Sequence, residues 1–182
     1  MSANSLKQAL PKTNADINTI LKLLDIFNDG EQTFNVNAAL LKYGRHFKHV
    51  DRYPIDLPKG PLGECFKNCT RALMPMIHDC DPPYFYAEGY ALDAKLGLPF
   101  EHAWLVDAAG RAIDLTWRDT HHAVYFGVTF KPAFLLEAMR RTEVYGVLFN
   151  LGLRDRLFSG PAAFTSALCR PGLPGLPRGT FA

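Results

Sequence analysis

Pro99-Phe100-Glu101-His102-Ala103-Trp104-Leu105-Val106-Asp107-Ala108-Ala109-Gly110-Arg111-Ala112-Ile113-Asp114-Leu115-Thr116-Trp117 reads as a β-hairpin. One apolar run ends at Val106, Asp107-Ala108-Ala109-Gly110 has turn chemistry, and a second apolar run starts at Ala112. His102 and Asp114 stand nearly equidistant from that turn. Directly opposed residues of an antiparallel pair have Cβ atoms about 4.5–5.5 Å apart and project to one face, so an imidazole and a carboxylate can meet there. Burying an aspartate in an apolar strand is costly without a hydrogen-bonded partner, and His102 is the nearest candidate.

A histidine oriented by a carboxylate is two thirds of a nucleophilic triad, and the thiol must come from elsewhere in the chain. Gly60-Pro61-Leu62-Gly63 is a loop signal, and residues 64–74 have helix-compatible composition, which puts Cys65 in the first turn of a helix. Free N–H groups and the positive end of the helix dipole favour a thiolate there and can help to hold an oxyanion, whereas a nearby Glu64 side chain would oppose this. Cys69 lies one turn later on the same face, so the two thiols compete for the role.

A thiol at a helix start, then a strand bearing His102-Ala103-Trp104, then a strand bearing Asp114-Leu115-Thr116, resembles the transglutaminase-like superfamily, the broad papain-related cysteine fold. The resemblance covers roughly the middle third of the chain. It implies an α+β fold in which the nucleophile helix packs on an antiparallel sheet. It also implies Cys65 as nucleophile, His102 as general base and acid, and Asp114 as orienter of His102. The activity expected from it is cysteine-dependent hydrolysis of an amide by a peptidase, amidase or deamidase, acting on a protein or on a small amide, ester or thioester. A transglutaminase-like acyltransferase with the same triad and an inactive binding module of the same fold are the alternatives. No cofactor or metal is implied. Papain-like enzymes carry a glutamine a few residues before the nucleophile, and here that stretch is Lys59-Gly60-Pro61-Leu62, so the second oxyanion donor is unassigned.

Three further residues are candidates for substrate contact. Trp104 shares a strand face with His102 and can line an acyl groove. Glu88 interrupts an apolar strand, and Asn68 follows Cys65 in the same helix. A zinc site built from Cys65, Cys69, His78 and Cys80 is the competing reading, although the spacing lacks a paired C-x₂-C arrangement.

The rest of the chain is expected to wrap this core as one domain over residues 1–169. Residues 1–52 supply a helical part, 53–130 the Cys-His-Asp core, and 131–169 further helices and strands. Helices are expected over 14–28, 35–49 and 131–140, strands over 84–92, 124–130 and 145–149, and a helical turn or two over 151–158. The Pro- and Gly-rich stretch 170–182 reads as a mobile tail. The chain has 182 residues, 48% of them hydrophobic, and a net charge of +2, too small to argue for a nucleic-acid or membrane partner. Lys42, Arg45, His46, Lys48, His49 and Arg52 form the strongest basic stretch, with a solvated helix face as its simplest reading. The first residues lack the apolar core of a secretion signal, and four scattered cysteines make no disulfide framework, so the expected compartment is the cytoplasm.

Overall fold

The computed structural model describes residues 3–28, 33–93 and 96–171, with side chains from Asn14 onward in the first helix. The chain is α+β, with helices packed on an antiparallel sheet. Helix α1 (Ala3–Asn28) includes the expected 14–28 segment and buries Ile20 and Leu24, one turn apart, completely. Helix α2 (Val36–Tyr43) is capped by Asn35, whose side chain accepts the Ala38 N–H at 2.9 Å. It stops six residues short of the expected 35–49 span. Gly44 is extended, and the following residues become strand β1 (Arg45–Phe47), because pairing with a sheet edge satisfies their backbone and sends Phe47 inside.

Helix α3 (Cys65–Leu73) gives way at Pro75 to a 3₁₀ turn over Met74–Met76. Strands β2 (Tyr84–Asp93), β3 (Leu98–Asp107), β4 (Ala112–Ile113) and β5 (Ala123–Phe130) follow, then helix α4 (Pro132–Thr142), short helices α5 (Arg154–Leu157) and α6 (Pro161–Ala167), and strand β6 (Leu168–Cys169). The sheet order is β1-β5-β2-β3-β4, with β6 on β5 beside β1. The hairpin turn forms as expected. Asp107 Oδ1 accepts the N–H of Ala109 and Arg111, and Gly110 takes a φ of 80° that disfavours any side chain.

Beyond β1 the chain crosses to β4, where Ala112 N–H donates to Lys48 O (2.7 Å) and Val50 N–H to Ala112 O (3.0 Å). This contact joins the two ends of the strand order and closes the sheet into a partial barrel. Its inside is filled by Phe47, Trp104, Val106 and Tyr125 over the small residues Ala87, Ala91 and Ala112. Its outside carries the larger core, where Leu73, Tyr86, Leu105 and Phe130 pack beneath the helices. The 145–149 segment, expected as a strand, is a loop, and its backbone donors turn toward Glu88 instead of a neighbouring strand. Of the expected tail, residues 172–182 lie outside the described residues, while Pro171 is buried with its carbonyl accepting from Arg45 Nη2 at 2.9 Å. Among the described residues no helix is long and apolar enough to cross a membrane.

Candidate active site

Helix α3 begins at Cys65 itself. Glu64, at the N-cap, makes no side-chain capping bond. Its carboxylate pairs with Lys67 at 2.7 Å, so the first-turn N–H groups keep their donors and the acid is neutralised by a neighbour. Asn68 laces this helix to the segment after β4. Its Nδ2 donates to Pro61 O (2.8 Å) and Thr116 Oγ1 (2.9 Å), while Gly60 N–H donates to Leu115 O (2.8 Å). A Cβ at Gly60 would fall 2.0 Å from Asn68 Oδ1, so only glycine permits this approach. Lys59 Nζ donates to Trp117 O from a position over the Tyr53 ring.

His102 and Asp114 meet, though not as directly opposed residues. The register pairs Leu105 with Ile113, which sets Asp114 on the Trp104 side and makes His102 its diagonal neighbour. Strand β4 ends after two residues because Asp114 Oδ1 accepts the N–H of Thr116 (2.7 Å) and Trp117 (2.9 Å), curling the chain out of the ladder. Its other oxygen, Oδ2, receives His102 Nε2 and the Tyr125 hydroxyl, each at 2.9 Å. Burial opposes ionisation of Asp114, but the His102 bond and charge and the two backbone donors hold it below the ordinary carboxylate value.

His102 is buried, and the Trp117 ring stacks on it with centroids 4.5 Å apart and planes 30° apart. Burial disfavours the imidazolium. Hydrogen bonds and charge from Asp114 and Cys65 outweigh that cost and raise its pKa to about 9. With Nε2 given to Asp114, Nδ1 is the ring nitrogen left to meet the Cys65 thiol. Cys69 is completely buried. Its thiol is pushed well up by burial and by the negative groups around it, which keeps it protonated and inert.

Cys65, His102 and Asp114 are therefore brought together, and the three residues expected to touch substrate are not placed to do so. Trp104 has no exposed surface and packs inside the barrel against Tyr125 and Phe47, with centroids 5.3 and 5.5 Å away. Glu88 is fully buried beneath the 143–150 loop, accepting Val147 N–H (2.5 Å) and Leu148 N–H (2.7 Å). Asn68 is 9% exposed and spends both amide hydrogens on the brace. Tyr125 is the partner that sequence reading missed; its position in strand β5 alternation marks an inward side chain but not the carboxylate it would find. All four cysteines are free, and the proposed zinc ligands are not gathered, with His78 and Cys80 exposed. Among the described residues no group of three or more His, Cys, Asp or Glu side chains is placed to hold a metal ion.

The chain matches no protein-family model, no curated protein and no solved structure.

Proposed function

We propose that this protein is a cysteine-dependent acyl-transfer enzyme of transglutaminase-like type that hydrolyses an amide. The observation that carries this reading is the buried relay from Asp114 through His102 Nε2 at 2.9 Å to Cys65 at the uncapped start of a helix. At neutral pH His102, raised to about 9, is held as the imidazolium, the form that pairs with a thiolate. In this mechanism the Cys65 proton already rests on His102, and the thiolate sulfur attacks the carbonyl carbon. First-turn N–H groups of α3 hold the oxyanion. His102 then returns the proton to the leaving amine, the C–N bond breaks, and water activated by the neutral imidazole releases the acid from the acyl-enzyme. Asp114 stays ionised throughout and fixes the ring, while Trp117 shields the imidazole from solvent.

Alkylation rates of the four cysteines between about pH 5 and 9, read by peptide mass spectrometry in native protein and in His102→Ala, test it. Rapid labelling of Cys65 that depends on His102 is expected, with Cys69 protected. Slow labelling of Cys65 with no dependence on His102 would overturn the assignment and leave an inactive binding module. An amide substrate trapped on Cys65 that is released only by an added amine would instead identify a transferase.

A further inference from the structure

Part of the basic stretch of the sequence finds a use at the β5 edge of the sheet. Along its outer edge β5 changes partner: β1 pairs with Tyr125–Gly127 and β6 with Thr129–Phe130. Where the two neighbours separate, a cavity of about 300 Å³ opens, with Lys42, Arg45 and Arg170 as its charged lining and no carboxylate among them. That volume sits at the lower end of the range for small-ligand pockets.

The three cations have no ion-pair partner among the described residues. Arg45 is half-buried and already held in place, its guanidinium over the Phe47 ring at 4.2 Å and its Nη2 on Pro171 O at 2.9 Å. Burial lowers its basicity, and Arg170 lowers it further against the pull of Cys169, so the two guanidinium groups feel one another across the cavity. Cys169 supplies no counter-charge, because burial pushes its thiol up to about 11. Lys42 Nζ rests over the Tyr43 ring at 5.5 Å, at the other side of the opening. Like charges gathered on a concave surface with no acid among them raise the local concentration of anions. Guanidinium and ammonium donors together match the several oxygens of a phosphate group.

We propose that this cavity binds a small phosphate-bearing molecule through Lys42, Arg45 and Arg170. The site is independent of Cys65 and does not rest on the acyl-transfer reading. Calorimetric titration of the intact protein with inorganic phosphate and with pyrophosphate tests it, at low and raised salt. Saturable binding that weakens with salt is expected, falling about 10-fold in each of Lys42→Gln and Arg170→Gln, the scale of one charged hydrogen bond. Both side chains are exposed, so the fold survives the changes, and Cys65 alkylation should be unaltered in either variant. Three results would overturn the proposal: no saturable binding of either probe up to about 10 mM, binding that neither substitution weakens, or binding confined to a single-stranded oligonucleotide.

Discussion

Asp114, in the turn after β4, and Glu88, in the middle of β2, are both buried carboxylates, and each accepts two backbone N–H groups. Their acidities move in opposite directions. Asp114 also faces His102 and the Tyr125 hydroxyl, and stays below its ordinary value. Glu88 faces no cation among the described residues, and its side-chain partner is the Tyr86 hydroxyl. Burial outweighs the Tyr86 hydroxyl and the backbone donors and pushes it up to about 7. A hydroxyl and backbone dipoles do not offset the loss of water around a charge, whereas a hydrogen-bonded cation does. The turn after β4 thus keeps a buried charge, and the 143–150 loop uses a carboxyl group to hold itself to the sheet.

The sharpest break of this contrast is functional. Asp114→Asn should cut turnover about 10⁴-fold, the scale of Asp-to-Asn changes in Ser-His-Asp hydrolases, and slow His102-dependent alkylation of Cys65. The alkaline limb of the rate profile, expected near the His102 value of about 9, should move to lower pH as the cation loses its partner. Glu88→Gln should leave both readouts near wild type; equal losses in the two variants would erase the distinction. The second break is in stability. Glu88→Ala strands two buried N–H groups and should cost about 3–5 kcal/mol in urea unfolding, while Cys65 labelling in the folded fraction stays fast.

A third test is pH dependence. Glu88 binds its proton more tightly when folded, so its contribution to stability is full below about 4.5 and is lost as pH rises to about 7, by up to ~3 kcal/mol. His102 acts in the same sense one window higher. Its contribution is full below 6.5 and lost as pH rises through about 9. Asp114 acts oppositely, its contribution falling away only below 3.8. Melting temperature should therefore peak on the acid side of neutrality, and Glu88→Gln should flatten the decline between pH 4.5 and 7 without touching the one above it. An unchanged slope in that variant would show that Glu88 is ionised in the folded protein. The smallest effect belongs to Tyr125→Phe, which removes one of four bonds to Asp114 and should cost about 1 kcal/mol. A change in the pH profile of Cys65 labelling would show that the hydroxyl tunes the His102–Asp114 pair, and an unchanged profile would confine it to packing.

The hairpin and the helix start were legible because their signals are local. Asp107 and Gly110 fold their own turn, and a Gly-Pro loop stops where helix-forming residues begin at Cys65. The sequence favours Cys65 over Cys69 by its place in the first turn, but helical spacing sets both on one face, and their different depth beneath the helix shows only in the fold. Glu88 misled for a related reason: a charged residue in an apolar strand announces a partner without naming it, and Val147 and Leu148 lie about sixty residues downstream. The β1 strand was hidden inside an apparent helix, because three residues with a free sheet edge beside them gain more from pairing than from one further helical turn.

By itself the sequence determined the inventory and the local punctuation: a thiol at a helix start, a histidine and an aspartate on the two arms of a turn, and helices to cover a sheet. Tertiary structure decided the protonation and the roles. Whether His102 is a cation, Cys69 an inert thiol or Glu88 an anchor depends on which distant dipoles, charges and apolar walls surround each group. Those surroundings exist only once the strands have paired and the barrel has closed at Ala112.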